Sequence, residues 1–548
     1  KIAAIFLISL FVVIAFCPVP SDTAIPERQV KRDRNVISPD LAKAIASLGP
    51  DESLRVIVVI EGYVGMSEVE LGQRRDSVTV SLAEIGAKAV QTYKRMNFVA
   101  SMLSAEGIRA LAKQDWVADI KLDKKRWVPP VPDKKLVEES LKSRITPMMP
   151  WVPPHIGATE AWASGIDGSG VTVAVIDTGV NFDHPDLAGT ESGFEVDFTG
   201  EGYFDGHGHG TFCASEIASQ GIVDYTFGGK ILGVAYGANV MGVKVLTSEG
   251  WGWDSWIIAG IEWAWLHGAD VISMSLGGLE IPNDGYDPMS LAFAWAYQAG
   301  VLSVVAAGND GPGHGTLGSP GSSPYALTVG ASTLFQSLPA LFAYWPVIGR
   351  YGDLVDVEND QMIDFTSRGS VAFPNAPKPD ISAPGAWVVG IYYPSPPPWP
   401  VEEAWDIWSG TSMSTPIVAG TAALVLQALR NRYADPIYRD PSQLKSLLKS
   451  TSTDLGYHVL MQGSGRVRAG LAVRVALGTA PGMYITPASY AFWPITGGDT
   501  QTFTITNFGS PTSISNVKIS SVMYKEGKML FQRGGVVDGA PIWDPVRG

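Results

Sequence analysis

The sequence predicts an α/β fold, a parallel sheet with helices on both faces, preceded by a small α+β unit and followed by a partial β-sandwich. Three observations carry this expectation. Near-continuous apolar runs such as Val171-Thr172-Val173-Ala174-Val175-Ile176 lack the polar alternation of a half-exposed sheet, as expected of strands buried on both faces. Helical patterns alternate with these runs, most clearly from Trp256 through Ile261, Trp263 and Trp265, where Gly268 stops the helix. After Pro481 the texture changes to strict alternation, in Thr502-Phe503-Thr504-Ile505-Thr506 and again around Ile514 to Ile519, which suits the strands of a sandwich.

Composition narrows the class. With 548 residues the chain is long enough for two or three domains, and 46% hydrophobic residues with 60 Gly and 38 Pro fit a loop-rich globular protein. A net charge of -14 argues against a nucleic-acid partner. The cysteines are Cys17 and Cys213, and the first falls in a segment expected to be removed, so a disulfide framework is not expected.

Taken in order, residues 1–24 read as a secretory signal: Lys1, an apolar run from Ile2 to Phe16, then a polar exit. That run is shorter than the roughly 20 residues of a spanning helix, so no stable membrane span is expected after the signal is removed. Residues 25–145 form the small α+β unit and a linker. Val56 to Ile60, Phe98 to Leu103 and Val117 to Leu122 read as strands, with helical spacing at Val78, Leu82, Ile85 and Val90, and at Ile108, Leu111 and Ala112 behind the cap Ser104. From Trp127 to Pro154 the chain is rich in Pro, Lys and Glu and reads as an exposed, cleavable linker.

The main domain is expected over residues 146–478. Its first long strand ends in Asp177 and a glycine turn, which delivers a carboxylate to the C-terminal edge of a parallel sheet. Further strands are Asn239 to Leu246, Asp270 to Leu276 and Val301 to Ala307. Helices are expected at Gln443 to Lys449 and Leu471 to Leu477, and 479–548 would begin a sandwich that the chain does not complete. The stretch Thr333 to Asp364 is longer than a simple connection and reads as an insertion.

Four stretches carry chemistry. Asp177 ends a strand, Gly208-His209-Gly210-Thr211 leads into an apolar helix start, Ala307-Gly308-Asn309 ends another strand, and Gly410-Thr411-Ser412 heads the apolar series through Leu426. A hydrolytic serine needs a base, a carboxylate to orient it and donors aimed at an oxyanion, and the order Asp, His, Ser is one in which that set occurs. Other readings compete at single positions. Asp205-Gly206-His207-Gly208-His209 could form a metal cluster with Asp177, Asp183 and His184, but that would leave the serine stretch and Asn309 as coincidences. Cys213, one turn after His209, reads as a buried structural thiol.

Taken together, Ala174 to Gly179 with His184-Pro185-Asp186-Leu187, Gly208 to Thr211, Ser273 to Gly278, Ala307-Gly308-Asn309, Lys378 to Gly385 and Gly410 to Pro416 resemble the subtilisin-like serine proteases, in the family's order. The resemblance implies a triad of Asp177, His209 and Ser412 and an oxyanion donor at Asn309. It also implies polypeptide substrates paired against Gly250-Trp251-Gly252 and Ser275-Leu276-Gly277. Gly318 would leave room in the primary pocket for a large apolar side chain, with broad specificity otherwise. Trp251 and Trp253 suit either apolar contact with substrate or surface packing. The region before Trp127 resembles the family's inhibitory propeptide, so the chain would be a zymogen. Asp186 matches a calcium ligand of the family, although Gln220 to Lys230 departs from the pattern of the remaining ligands; structural calcium and no organic cofactor are expected. Phe212 stands where many members carry a second histidine. The alternatives are an exopeptidase of the same fold or a binding protein without turnover.

Overall fold

The computed structural model describes residues 36–61, 68–128, 152–280, 283–333, 360–369, 371, 377–433, 440–486 and 504–507. The expected signal segment, most of the linker, most of the 333–364 insertion and most of the C-terminal module lie outside the described residues.

Seven strands form the main sheet, and every neighbouring pair is parallel. Thr172–Asp177 lies between Asn239–Lys244 and Val271–Met274, with Val196–Asp197 at one edge. Leu302–Ala306, Ala326–Ser332 and Ile381–Pro384 extend the other side in that order. The chain therefore builds first to one side of Thr172–Asp177 and then to the other. In such open sheets the crevice outside the carboxyl ends of the diverging strands is where ligands bind, and Asp177 is delivered there.

Both faces are covered, as the unbroken apolar runs require. One core joins the sheet to His209–Ala218, Ala469–Leu477 and the long helix Thr411–Arg432; the other joins it to Asp254–Leu266 and Pro288–Gln298. Thr411–Arg432 is apolar enough to cross a membrane by composition, yet its most apolar stretch is wholly buried in the fold. Burial on all sides explains that composition without any lipid.

The N-terminal unit is a four-stranded antiparallel sheet built from Ser53–Ile60, Lys88–Thr92, Phe98–Ser104 and Val117–Leu122. Ser104 caps the helix Ala105–Leu111 by accepting from the Gly107 N–H at 3.1 Å, as its sequence position predicts. One face of this sheet, including Ile57, Val59 and Phe98, packs into the core of Asp254–Leu266 and Pro288–Gln298. Glu262 accepts the N–H groups of Lys94, Arg95 and Met96 at 2.7, 2.6 and 3.1 Å. Asp123 caps the start of Asp254–Leu266 through Ser255 N and Oγ at 2.9 and 2.8 Å.

At Trp127 and Val128, the start of the expected exposed linker, the chain is instead held against the main domain. Lys125–Trp127 is a strand that pairs antiparallel with Trp251–Trp253, and Val128 is buried. At the far end, Met483–Thr486 and Thr504–Asn507 form an antiparallel pair, matching the expected change to strands after Pro481.

Candidate active site

The strand Thr172–Asp177 and the helix His209–Ala218 meet at the C-terminal edge of the sheet. His209 Nδ1 lies 2.8 Å from Asp177 Oδ1, with both side chains buried. The same carboxylate oxygen accepts the Thr178 N–H at 2.8 Å. This close approach explains the glycine after the histidine, because a Cβ at Gly210 would sit 2.1 Å from the Gly179 carbonyl oxygen. Burial alone would depress the His209 imidazole. The Asp177 carboxylate outweighs that effect and holds it well above the usual histidine range.

Ser412 lies in the first turn of Thr411–Arg432, the position that leaves helix N–H groups without intrahelical acceptors. Its hydroxyl donates to the Ser275 carbonyl at 3.3 Å, and Ser275 Oγ donates to the Ser412 carbonyl at 2.9 Å. His209 Nε2 is buried without a hydrogen-bond partner, so the serine-histidine bond is not made in this conformation. In enzyme active sites such hydrogen bonds often form only when substrate is bound. Cys213 Sγ ties the two residues spatially, 3.9 Å from His209 Nδ1 and 3.6 Å from the Ser412 carbonyl oxygen. Burial pushes the Cys213 thiol up, which suits a structural role and opposes a nucleophilic one. Phe212 stacks on Trp408 at 4.4 Å between ring centres, and Trp408 in turn lies 5.9 Å from the His209 ring.

Asn309 reaches the same turn. Its Oδ1 accepts from Thr411 N at 2.9 Å and Thr411 Oγ1 at 3.0 Å. With the carbonyl end of the amide used in this way, the Nδ2 end is directed at the Gly410-Ser412 turn: a Cβ on Gly410 would lie 3.4 Å from it. Thr411 therefore decides which end of the amide is offered.

Asp205, a candidate metal ligand by its place in the sequence, is a structural residue, a role its sequence context does not state. Its Oδ1 accepts from Thr178 Oγ1, His207 N and Gly208 N at 2.8, 3.0 and 2.7 Å, and its Oδ2 from Thr211 N and Oγ1 at 2.8 and 2.7 Å. A carboxylate surrounded by donors suits an anion clasp for the turn that carries His209, and a cation poorly. A loop acid flanked by glycine and a later threonine was the available signal. Asp177, His209 and Cys213 are close enough to bind a metal by distance alone, but the Asp177–His209 hydrogen bond already uses Nδ1.

Asp186 does not fit the calcium role. Its Oδ1 accepts the N–H groups of Ile222 and Val223, the latter at 2.9 Å, and its Oδ2 accepts the Tyr225 hydroxyl at 2.7 Å. Donor hydrogens point at both oxygens where a cation would need lone pairs. The departure of 220–230 from the family pattern thus has a structural counterpart.

The two expected substrate-binding segments face one another across Lys125–Trp127. Trp251, Gly252 and Trp253 pair with Trp127, Arg126 and Lys125, while Trp127 also bridges to Gly277. A Cβ at Gly252 would meet the Val245 carbonyl at 2.1 Å, so a side chain there would push this edge out of register. Leu276 is buried, and Gly318 packs against Gly278, which itself bridges to Ser319. Trp251 stacks on Trp256 and carries the Lys125 ammonium over its face at 3.5 Å. Contact with the N-terminal segment and surface packing therefore both apply to Trp251.

The sequence profile of the subtilase family matches residues 168–466. Among relatives, serine protease AprX of Bacillus subtilis (strain 168) is 36% identical over 302 residues, 52% of this chain and 62% of that one. Subtilisin E of Bacillus subtilis (strain 168) is 30% identical over 393 residues, 71% of this chain and 84% of its own length. Minor extracellular protease Vpr of the same organism is 38% identical over 202 residues, 35% of this chain and 24% of that one.

Proposed function

This chain belongs to the subtilase family of serine endopeptidases, and from that premise we propose that it is secreted as a zymogen and cleaves polypeptides with Asp177, His209 and Ser412. The observation that carries the reading is the buried 2.8 Å Asp177–His209 contact beside a serine at a helix head. Ser412 Oγ attacks the scissile carbonyl as its proton passes to His209 Nε2. Asp177 stabilises the resulting imidazolium through Nδ1. The Asn309 amide and the Ser412 N–H donate to the tetrahedral oxyanion, and the imidazolium then protonates the leaving amine. Water, deprotonated by the same imidazole, releases the acyl group.

Substrate is bound as an added strand between 250–252 and 275–277. Gly318 leaves space for a large apolar side chain at the cleaved position. The N-terminal unit acts as inhibitor, a reading supported by Lys125–Trp127 lying between those segments. A relative named as an extracellular protease and the apolar N-terminal run support secretion.

Mass spectrometry of wild type beside Ser412→Ala, each incubated with a denatured protein, tests the proposal. Wild type should lose its N-terminal region and cut the substrate, whereas Ser412→Ala should remain full length. Identical behaviour of the two would overturn the reading.

A further inference from the structure

Arg126 is a buried charge that the chemistry above does not use. A strand paired on both edges sends alternate side chains to opposite sides, so Lys125 and Trp127 stay exposed while Arg126 is buried. Its side chain is 4% exposed. Nε and Nη2 donate to the two oxygens of Asp254 at 2.6 and 2.9 Å, Nη2 also to Glu280 Oε2 at 3.0 Å, and Nη1 to the Leu279 carbonyl at 3.4 Å. Asp287 adds negative charge from further away. Lys124, on the same N-terminal segment, pairs with Glu280 Oε1 at 2.7 Å.

The acids belong to the sheet domain, whereas both cations belong to the N-terminal unit. Burial pushes the Asp254 carboxyl up to about 6 against the pull of Arg126, so the pocket without a cation is an unfavourable place for charge. From there the chain leads on toward His209. After Arg126 it runs to Val128, whose N–H donates to the Gly250 carbonyl at 2.9 Å. A Cβ on Gly250 would touch both Val128 and His207, and the His207 ring lies 6.3 Å from that of His209. Arg126 therefore sits upstream of the segment that approaches the base.

We propose that Asp254 and Glu280 form an arginine-selective subsite for polypeptide substrates, which Arg126 fills as an intramolecular mimic until the N-terminal unit is removed. The inference rests on the peptidase reading above. A planar guanidinium can bond both Asp254 oxygens at once, which the point charge of lysine cannot reproduce. An apolar side chain in its place would leave a desolvated carboxylate without a counter-charge.

The test uses the self-processed enzyme and peptides that place Arg, Lys, Leu or Glu at each position upstream of the cleaved bond. At one position kcat/KM should be about 10- to 100-fold higher for Arg than for Leu, with Lys between them. Glu280→Gln and Asp254→Asn should each narrow that ratio. Asp254 opens a helix, so if Asp254→Asn fails to fold, Glu280→Gln decides. Equal cleavage of Arg and Leu peptides at every position, or a ratio untouched by Glu280→Gln, overturns the subsite alone. Failure to cleave any peptide overturns the peptidase reading and the subsite with it.

Discussion

Replacing Asn309 by Ala isolates one donor, and its effects can be worked out separately for rate and stability. The change removes Nδ2, whose bond to an oxyanion would form only in the transition state; such a donor is worth about 100- to 1000-fold in kcat, or about 2.7–4 kcal/mol. It also removes the acceptor for Thr411 N and Oγ1, at 2.9 and 3.0 Å, in a half-buried site. Each lost bond of this type costs about 1 kcal/mol of stability. KM should stay near wild type, because the ground state makes no use of the donor. Thr411→Val is the control. It deletes the hydroxyl donor to Asn309, and the hydroxyl acceptor for Gly308 N at 3.3 Å, but leaves the backbone N–H to hold the amide. Its kcat should fall by less than about tenfold, in line with one hydrogen bond of about 1 kcal/mol. The assay is steady-state cleavage of one peptide, with the folded fraction measured by circular dichroism at the same temperature. Folded Asn309→Ala within about fivefold of wild-type kcat, far inside the range for such a donor, refutes the argument, as does an equal loss from Thr411→Val.

Three further outcomes are expected. Asp177→Asn should lower kcat by about 10,000-fold; because Asp177 holds the His209 imidazole well above its usual range, its loss should also move the acid limb of kcat/KM to lower pH. An unmoved limb in a pH-rate profile would count against Asp177 as the group that raises His209. Asp380 sits fully buried 2.6, 3.0 and 3.2 Å from Lys378, Lys445 and Lys449, which together overcome the burial cost and hold its carboxyl far below the usual range. Asp380→Asn should cost about 3–5 kcal/mol by urea unfolding at pH 7. Since the folded pKa is depressed, that contribution is present above the unfolded value of about 4 and is lost as pH falls through the folded one. A variant as stable as wild type would show that the three lysines need no counter-charge. Finally, hydrogen exchange over 219–232 should rise in Tyr225→Phe, by an amount matching the loss of a charged hydrogen bond of about 1.5–3 kcal/mol. A chelator added to wild type should leave that exchange unchanged, and accelerated exchange would restore Asp186 as a cation ligand.

Local pattern was enough to locate much of this protein. Apolar runs and helical spacing report how each segment is buried, so the strand ending in Asp177, the helices opening at His209 and Ser412, and the capped helix after Ser104 were all legible. What pattern cannot report is which distant group satisfies a buried charge. Asp186 reads as a calcium ligand by position, yet Tyr225, 39 residues on, supplies a donor to it. The stretch from Trp127 reads as linker by composition, yet the end of the N-terminal unit is held between two backbone edges, and Arg126 meets Asp254 across 128 residues. Side-chain periodicity along a chain is a one-dimensional record of burial. Pairing of donors with acceptors is decided only when the sheet brings separate segments to the same edge.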